Sequence, residues 1–333
     1  MTAINEEGPD KDLPTKRRPL VTPKTHHGPA SATMPSSRIG YSGCNGLLKH
    51  QRRAAWLFLA VPGLFFIVFT AVPFVVALAV SLTDYSIVEA PKWLGLQNYA
   101  EIVHDPYFWT AIRNTVYYTA LFVPLGLIVS LGTALLLNRN TAVAKVFRTF
   151  FYIPVVSSSV ATATIWYWVL NPQKGLLNAV LGWFGIHGPA WLYDSHWAMI
   201  AIVIMNVWAG FGTNMIIFLG GLQGVPNNLR EAARLDGANA FQIFWHVVVP
   251  SISPTLFLVT TQLIIGAFQV FDQAYILTKG GPGNSTVTIV YYIYDRGFGA
   301  LRMGYASALS FVLFAIIFVF SLINMRITNR EAS

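Results

Sequence analysis

Six long apolar runs, separated by polar connections that carry glycine and proline, dominate the chain beyond residue 48. They lie at about 54–82, 115–137, 149–170, 197–222, 252–277 and 306–323. A helix needs about 20 apolar residues to cross the hydrocarbon core of a bilayer, and each run is of that order. The runs are continuous rather than alternating, and a chain in lipid must satisfy its own backbone polar groups. The pattern therefore predicts an all-α polytopic membrane protein: six transmembrane helices within a domain covering 49–330. Residues 1–48 read differently. They are rich in Pro, Lys, Arg, Thr and Ser and lack an apolar period, so the expectation there is a disordered cytoplasmic tail rather than a signal peptide.

Composition agrees with a membrane protein. Hydrophobic residues make up 54% of the chain and charged ones 11%, and the mean hydropathy is +0.53. The formal charge of +8 could suggest a nucleic-acid partner. The basic residues instead gather in the tail and at the ends of the apolar runs, where they act as orientation signals. An even number of spans puts both termini on one side. With that side cytoplasmic, Lys49, Arg52, Arg53, Arg139, Lys145, Arg148, Arg230, Arg234, Arg326 and Arg330 lie inside. Lys92, Arg113, Lys174, Lys279, Arg296 and Arg302 lie outside. The bias predicts a multi-pass protein of the plasma (inner) membrane with both termini cytoplasmic, contacting lipid and no nucleic acid. The single cysteine, Cys44, excludes an internal disulfide framework. The seven histidines fall in the tail or the loops without metal-ligand spacing, so neither a metal site nor a catalytic constellation is expected.

Between the fourth and fifth runs lies an amphipathic, charged stretch, 231–250. Pro226-Asn227-Asn228 supplies a helix start, and about 228–236 reads as a short helix with Leu229, Ala232 and Ala233 on one face. Gly237 is placed to end it in a left-handed conformation, a second helix can start near Asn239, and Pro250 marks the passage into the fifth run. Glu231-Ala232-Ala233, then three residues, Gly237, then nine, Val247, then one, Val249 and Pro250 form a constrained pattern. It closely resembles the EAA loop of the permease subunits of ATP-binding-cassette (ABC) importers of the sugar and glycerol-3-phosphate type, which are maltose-transporter-like. Val247 and Val249 stand where that family usually has Ile and Leu. The resemblance implies that Glu231, Ala232, Ala233, Asp236, Gly237 and Pro250 form a cytoplasmic coupling helix that contacts a separate ABC ATPase dimer. The plainer alternative is a solvated loop helix whose Glu231 pairs with Arg234.

Two further stretches carry the same resemblance. Trp93-Leu94-Gly95-Leu96-Gln97-Asn98-Tyr99 is similar to a Gly-Leu-x-Asn-Tyr element that follows the first span in sugar permeases. Phe271-Asp272 through Leu277-Thr278-Lys279-Gly280-Gly281-Pro282 to Thr286 is similar to their signature after the fifth span. Its glycines are not a phosphate cradle: no G-x-x-x-x-G-K-[ST] pattern occurs in the chain, so no cofactor is expected here and ATP would be bound by a partner subunit. Gly280, Gly281 and Pro282 are expected to turn the chain. Gly175-Leu176-Leu177-Asn178, with Trp183 and Trp191, reads as an interfacial segment. The resemblance further implies a second related permease subunit and an extracytoplasmic solute-binding protein.

Polar residues within apolar runs are costly unless they face a cavity or a partner. Gln262, Gly266, Gln269 and Gln273 recur at intervals of four, three and four, on one helical face, with Asp272 beside them. Amides can both donate to and accept from hydroxyl-rich solutes. The fourth run offers Asn206, Gly210, Thr213 and Asn214, with Trp208 for stacking. The third offers Ser157, Ser158, Ser159, Thr162 and Trp166, residue types that also serve ordinary helix contacts. The expected function is a non-enzymatic permease subunit that moves a sugar or polyol-type solute inward by alternating access. The alternative is an ion-gradient-driven secondary transporter, which would need embedded carboxylates at matched places in inverted repeats. Only Asp272 answers to that.

Overall fold

A computed structural model of the 333-residue chain describes residues 55–56 and 58–331. The tail expected over 1–48, with Cys44, and the orientation residues Lys49, Arg52 and Arg53 lie outside the described residues. The chain divides into Met1–Pro62 and Gly63–Ser333.

Helix α1 spans Phe58–Ser81, with a widened turn at Ile67–Ala71. Pro73 follows that turn and lacks the N–H that a regular turn would use, so the ladder loosens just before it. A short antiparallel pair comes next, β1 (Thr83–Asp84) with β2 (Lys92–Trp93), Thr83 opposite Trp93. Helix α2 is Gln97–His104. The Gly-Leu-x-Asn-Tyr element has a clear structural task here: buried Asn98 donates through Nδ2 to the Ser81 and Thr83 carbonyls, both at 2.9 Å. Gly95 takes the φ of +60° that the turn into α2 requires.

Helix α3 runs Pro106–Leu137, so it begins well before the expected position 115. The Asp105-Pro106 pair starts it, with the Asp105 carboxylate accepting from Tyr107 N–H at 2.9 Å. Hydropathy misses these first turns because Arg113 and Asn114 lie in them. The third run is not one straight helix. It divides into α4 (Ala142–Val156) and α5 (Ser159–Val169), bent by 98° at Ser157-Ser158, both of which have extended ψ angles. Pro154 in the last turn of α4 leaves the ladder short of a donor there.

After α6 (Leu176–Trp183) come α7 (Ala198–Gln223) and α8 (Asn227–Leu235). Asn178 of α6 ties its loop, donating to the Pro172 and Pro189 carbonyls and accepting from Trp191 Nε1 at 2.6 Å. Helix α9 (Ala240–Ser251) meets α10 (Ser253–Phe268) at a 74° bend. The fifth run was expected to continue to 277, but α10 stops at Phe268. A widened turn at Ala274–Thr278, α11 (Ile289–Tyr294) and a second widened turn at Asp295–Gly299 follow. Helix α12 is Met303–Glu331.

Among the described residues, four helices are long and apolar enough to cross a membrane: Phe58–Ser81, Pro106–Leu137, Ala198–Gln223 and Met303–Arg326. There are up to six spans if each bent pair is one.

Helices α3 and α7 pack along each other at the centre, α10 lies against α3 and α12, α4 lies against α7, and α12 follows the Val72–Ser81 part of α1. Small residues set two of these approaches. A methyl group on Gly212 would collide with the Phe151 carbonyl of α4, and one on Gly221 would lie 2.5 Å from Thr255 Oγ1 of α10. The end of α7 (Gly220, Gln223) shares a hollow with Arg148 of α4, whose guanidinium reaches the last carbonyl of α3. The ends of α3 and α7 therefore lie together. The start of α3, at Asp105, lies at the opposite pole with α11 and the start of α12.

Candidate functional site

At mid-length on α3 and α7, and along the C-terminal half of α10, the helices enclose one side of a cavity of about 490 Å³. That volume falls within the roughly 300–1,000 Å³ of small-molecule sites. Its polar wall is Asn206, Thr213 and Asn214 from α7, with Gln262, Gln269, Asp272 and Gln273 from α10 and the chain beyond it. Gly210 and Gly266 leave the space open, and Tyr118, Phe122 and Phe271 supply aromatic surface. Six of the seven solute-path residues expected from the sequence thus meet at one place: Asn206, Asn214, Gln262, Gln269, Asp272 and Gln273. Trp208 does not line this cavity. It packs on Trp166 of α5 with ring centroids 5.6 Å apart, because two residues beyond Asn206 the helix has turned away from the wall.

Gln273 reaches the wall by a different route from the one expected. Helix α10 ends at Phe268, so the last four-residue step is not helical. The chain bends after Gln269 and brings Asp272 and Gln273 back over the cavity. Asp272 is held there by Ser159, whose hydroxyl donates to Oδ2 at 2.6 Å from the first residue of α5. Ser159 is thus a support for Asp272 rather than a wall residue. Ser157 and Ser158 sit exposed at the α4–α5 bend. Tyr118 and Phe122 are wall residues that sequence reasoning missed, and Tyr118 has a definite task. Buried on α3, it accepts at its hydroxyl from Asn206 Nδ2 at 2.7 Å and so orients that amide. A tyrosine inside a long apolar run carries no signal separating cavity from lipid.

The charged stretch after α7 forms the expected short helix, α8. Gly237 has φ +82°, with Gly237 N–H bonded to the Arg234 carbonyl at 3.1 Å and Ala238 N–H to the Ala233 carbonyl at 2.9 Å. These two bonds are the Schellman closure, which needs a left-handed residue at that position. A capping box follows, Asn239 and Gln242 exchanging bonds at 2.9 Å, and starts α9. Glu231, Ala232, Asp236 and Pro250 are exposed, and Ala233 is half-buried against the core. Among the described residues Glu231 makes no ion pair, so the Glu231–Arg234 pairing of the plainer reading is not formed.

At the opposite pole the 271–286 stretch forms a closed turn. Buried Thr286 bonds Thr278 Oγ1 at 2.7 Å and the Gly281 carbonyl at 2.9 Å, and Gly280 has φ +82°. Asn114 of α3 donates to the Asn284 and Val287 carbonyls and clamps this turn to the bundle. Beside it, Tyr292 and Tyr305 donate to Asp105, Arg296 Nε donates to Tyr292, and Arg302 grips Glu101 bidentately at 2.6 and 2.7 Å. Burial pushes the Asp105 carboxyl up. The hydroxyls of Tyr292 and Tyr305, the Tyr107 N–H and the charge of Arg296 outweigh that and hold it below its ordinary range. The Arg302 hydrogen bond lowers Glu101 in the same sense, and burial raises Tyr292 to about 12.

Comparison with known proteins fits this geometry. Residues 123–331 match the family described as "Binding-protein-dependent transport system inner membrane component". The chain is 36% identical over 285 residues to the probable ABC transporter permease protein YurN of Bacillus subtilis (strain 168), covering 84% of this chain and 97% of that one. It is 32% identical over 320 residues to the arabinooligosaccharides transport system permease protein AraP of the same organism, covering 94% and 98%. A chain in the crystal structure of a bacterial alginate ABC transporter, in complex with an alginate pentasaccharide-bound periplasmic protein, superposes with a TM-score of 0.74 at 22% identity. The match covers 84% of this chain and 96% of that one, and it shows a shared fold. The paired bent helices, the Glu-Ala-Ala helix closed by Gly237 and a family match over most of the bundle lead to one conclusion: this chain is a multi-pass inner-membrane transport component, a member of the binding-protein-dependent transport system inner membrane component family.

Proposed function

We propose that this chain is a permease subunit of an ATP-driven importer whose solute is an oligosaccharide or a related polyol-type molecule. The observation that carries the reading is the cavity: five amides, one carboxylate and three aromatic rings converge at mid-depth between α3, α7 and α10. Amides offer donor and acceptor on one planar group and so suit hydroxyl-rich solutes, while aromatic faces suit the apolar C–H faces of sugar rings. The arabino-oligosaccharide assignment of one relative favours the same class. Without a phosphate-binding loop, this chain relies on a cytoplasmic ABC ATPase dimer to bind ATP, and α8 is its dock. A second related permease completes the pore, an extracytoplasmic solute-binding protein delivers cargo, and both termini face the cytoplasm. Alternating access then requires α8 to make different contacts with the two ATPase states. Nothing in the cavity beyond Asp272 favours ion-gradient coupling.

The test is solute-stimulated ATPase activity and uptake by the assembled transporter in lipid vesicles. Gln269→Ala and Gln262→Ala each remove a neutral hydrogen-bonding group worth about 1 kcal/mol. Each should raise the half-saturating concentration of loaded binding protein several-fold, with assembly intact. Unchanged half-saturation in the double variant would remove the cavity from the solute path. Uptake that continues without ATP and stops with an uncoupler would restore the gradient-driven alternative.

A further inference from the structure

Phe271 belongs to two things at once. It lines the cavity, and it begins a connected series of aromatic rings that leaves the cavity toward the pole opposite α8. Its ring lies 5.4 Å from Tyr275 and 5.0 Å from Tyr294. Tyr275 and Tyr294 lie 5.2 Å apart, and Tyr294 is followed at 5.3 Å by Phe298. The series joins two pieces of chain: Phe271 and Tyr275 after α10, and Tyr294 and Phe298 from the end of α11 into the widened turn that continues it. Tyr275 is 40% exposed and Phe298 62%, while Phe271 and Tyr294 are half-buried. Polar side chains border it, Asp272 and Gln273 at the cavity end and exposed Asp295 beside Tyr294. Aromatic surface edged by planar polar groups, continuous with an amide-lined cavity, is the surface a carbohydrate chain binds. Each pyranose or furanose presents an apolar C–H face to a ring and its hydroxyls to the edge.

We propose that Phe271, Tyr275, Tyr294 and Phe298 form an extended subsite for the chain of an oligosaccharide. One end of the solute occupies the cavity while the following sugar units lie along the rings. This rests on the oligosaccharide reading above and adds a length dependence to it. A disaccharide fits within the cavity and needs no track, whereas a pentasaccharide must use it. The competing occupant is the second permease, against which exposed rings could pack.

The experiment uses the complete transporter in lipid vesicles, with arabino-, malto- and mannuronate-oligosaccharide ladders from disaccharide to pentasaccharide delivered by the binding protein. The variants are Tyr294→Ala with Phe298→Ala, Tyr294→Trp as the conservative replacement, and Gln269→Ala as the cavity control. Loss of two stacking surfaces predicts roughly a tenfold rise in half-saturation for the pentasaccharide in the double alanine variant. The disaccharide should be nearly unchanged, and Tyr294→Trp should retain the wild-type length dependence. Gln269→Ala should weaken both lengths. An equal effect on both lengths, or none, overturns the track while the cavity stands. Loss of the second permease from the purified double variant assigns the rings to the subunit interface and also overturns it. No stimulation by any ladder in the wild type refutes the oligosaccharide reading and the track with it.

Discussion

Gly237 offers a graded test of the coupling role proposed for α8, because its demand is conformational and not steric. Its φ is +82°, and a Cβ built on it meets no atom within 4 Å. Substitution there leaves contacts alone and acts only through the backbone. An L-residue in the left-handed region costs about 1–2 kcal/mol, which at 1.4 kcal/mol per decade disfavours the closed end of α8 by about 5- to 30-fold. Asn tolerates the region best after Gly, Ala bears the full cost, and β-branched Val more. What is lost is the pair of bonds from Gly237 and Ala238 back to Arg234 and Ala233, and with them the fixed angle between α8 and α9. In vesicles containing the whole transporter, stimulation of ATPase by loaded binding protein should fall in the order Gly, Asn, Ala, Val. Basal ATPase and membrane insertion should stay level. Full stimulation in Gly237→Val refutes the reasoning. An Asn variant as impaired as Val also refutes it, since that pattern would mean a partner contact at Gly237 rather than a backbone requirement.

Glu231→Lys should insert and assemble but abolish solute stimulation, because an exposed, unpaired carboxylate is replaced by the opposite charge; retained stimulation would release Glu231 from the dock. Asn98→Ala loses two donors to carbonyls and should cost about 1–3 kcal/mol, read as a lower thermal midpoint of the solubilised protein. Asn98→Asp should be worse still, since a carboxylate would face the same two carbonyls, and an Asp variant as stable as wild type would contradict that geometry. Asp105 has a lowered folded pKa, so its contribution is complete above the ordinary carboxylate range near pH 4 and is lost as pH falls through the lower folded value. Asp105→Asn should be less stable at pH 7 by about 1.5 kcal/mol, the low end for bonds to a partly exposed charge, and should lack that acid loss. An unchanged acid limb in the variant would assign the titration elsewhere.

Apolar composition made the long helices legible, and short-range backbone chemistry made α8 legible: Pro226 and Asn227 at its start, Gly237 at its end, Asn239 opening the next helix. Hydropathy could not show the two bends, because it sums apolar character along a run and is indifferent to direction. Ser157-Ser158 breaks a run that is apolar on both sides, whereas the bend at Ile252 falls where Pro250 already marks the start of the fifth run, and only its angle is new. The cavity was half visible. Gln262, Gly266 and Gln269 follow helical periodicity and share a wall for that reason, whereas Gln273 shares it because the helix has already ended. Tyr118 and Phe122 come from another helix altogether, and nothing local distinguishes them from neighbours such as exposed Tyr117. Trp208 had the right chemistry for a sugar ring but the wrong phase on α7.

The two arginines next to the helix ends explain how a polar surface helix can be mechanically part of the bundle. The last carbonyls of a helix are unsatisfied and carry its negative pole, so a guanidinium placed there gains a charge-assisted bond and a favourable field. Arg148 of α4 does this for α3, donating to the Leu137 carbonyl at 2.7 Å and to the Arg139 carbonyl at 3.2 Å. Arg230 of α8 does it for α7, donating to the Leu222 carbonyl at 3.3 Å. Helix α8 buries no side chain fully; the Arg230 bond ties it to α7, Ala233 packs on the core, and the helix lies against α9. Helix α7 is the most buried of the four long helices and carries Asn206, Gly210, Thr213 and Asn214 at its middle. On the reading proposed above, force on α8 passes through the Arg230 bond to α7, the helix that forms one wall of the cavity. Under the dock proposed for α8, a single helix, α7, runs from that contact to the cavity wall.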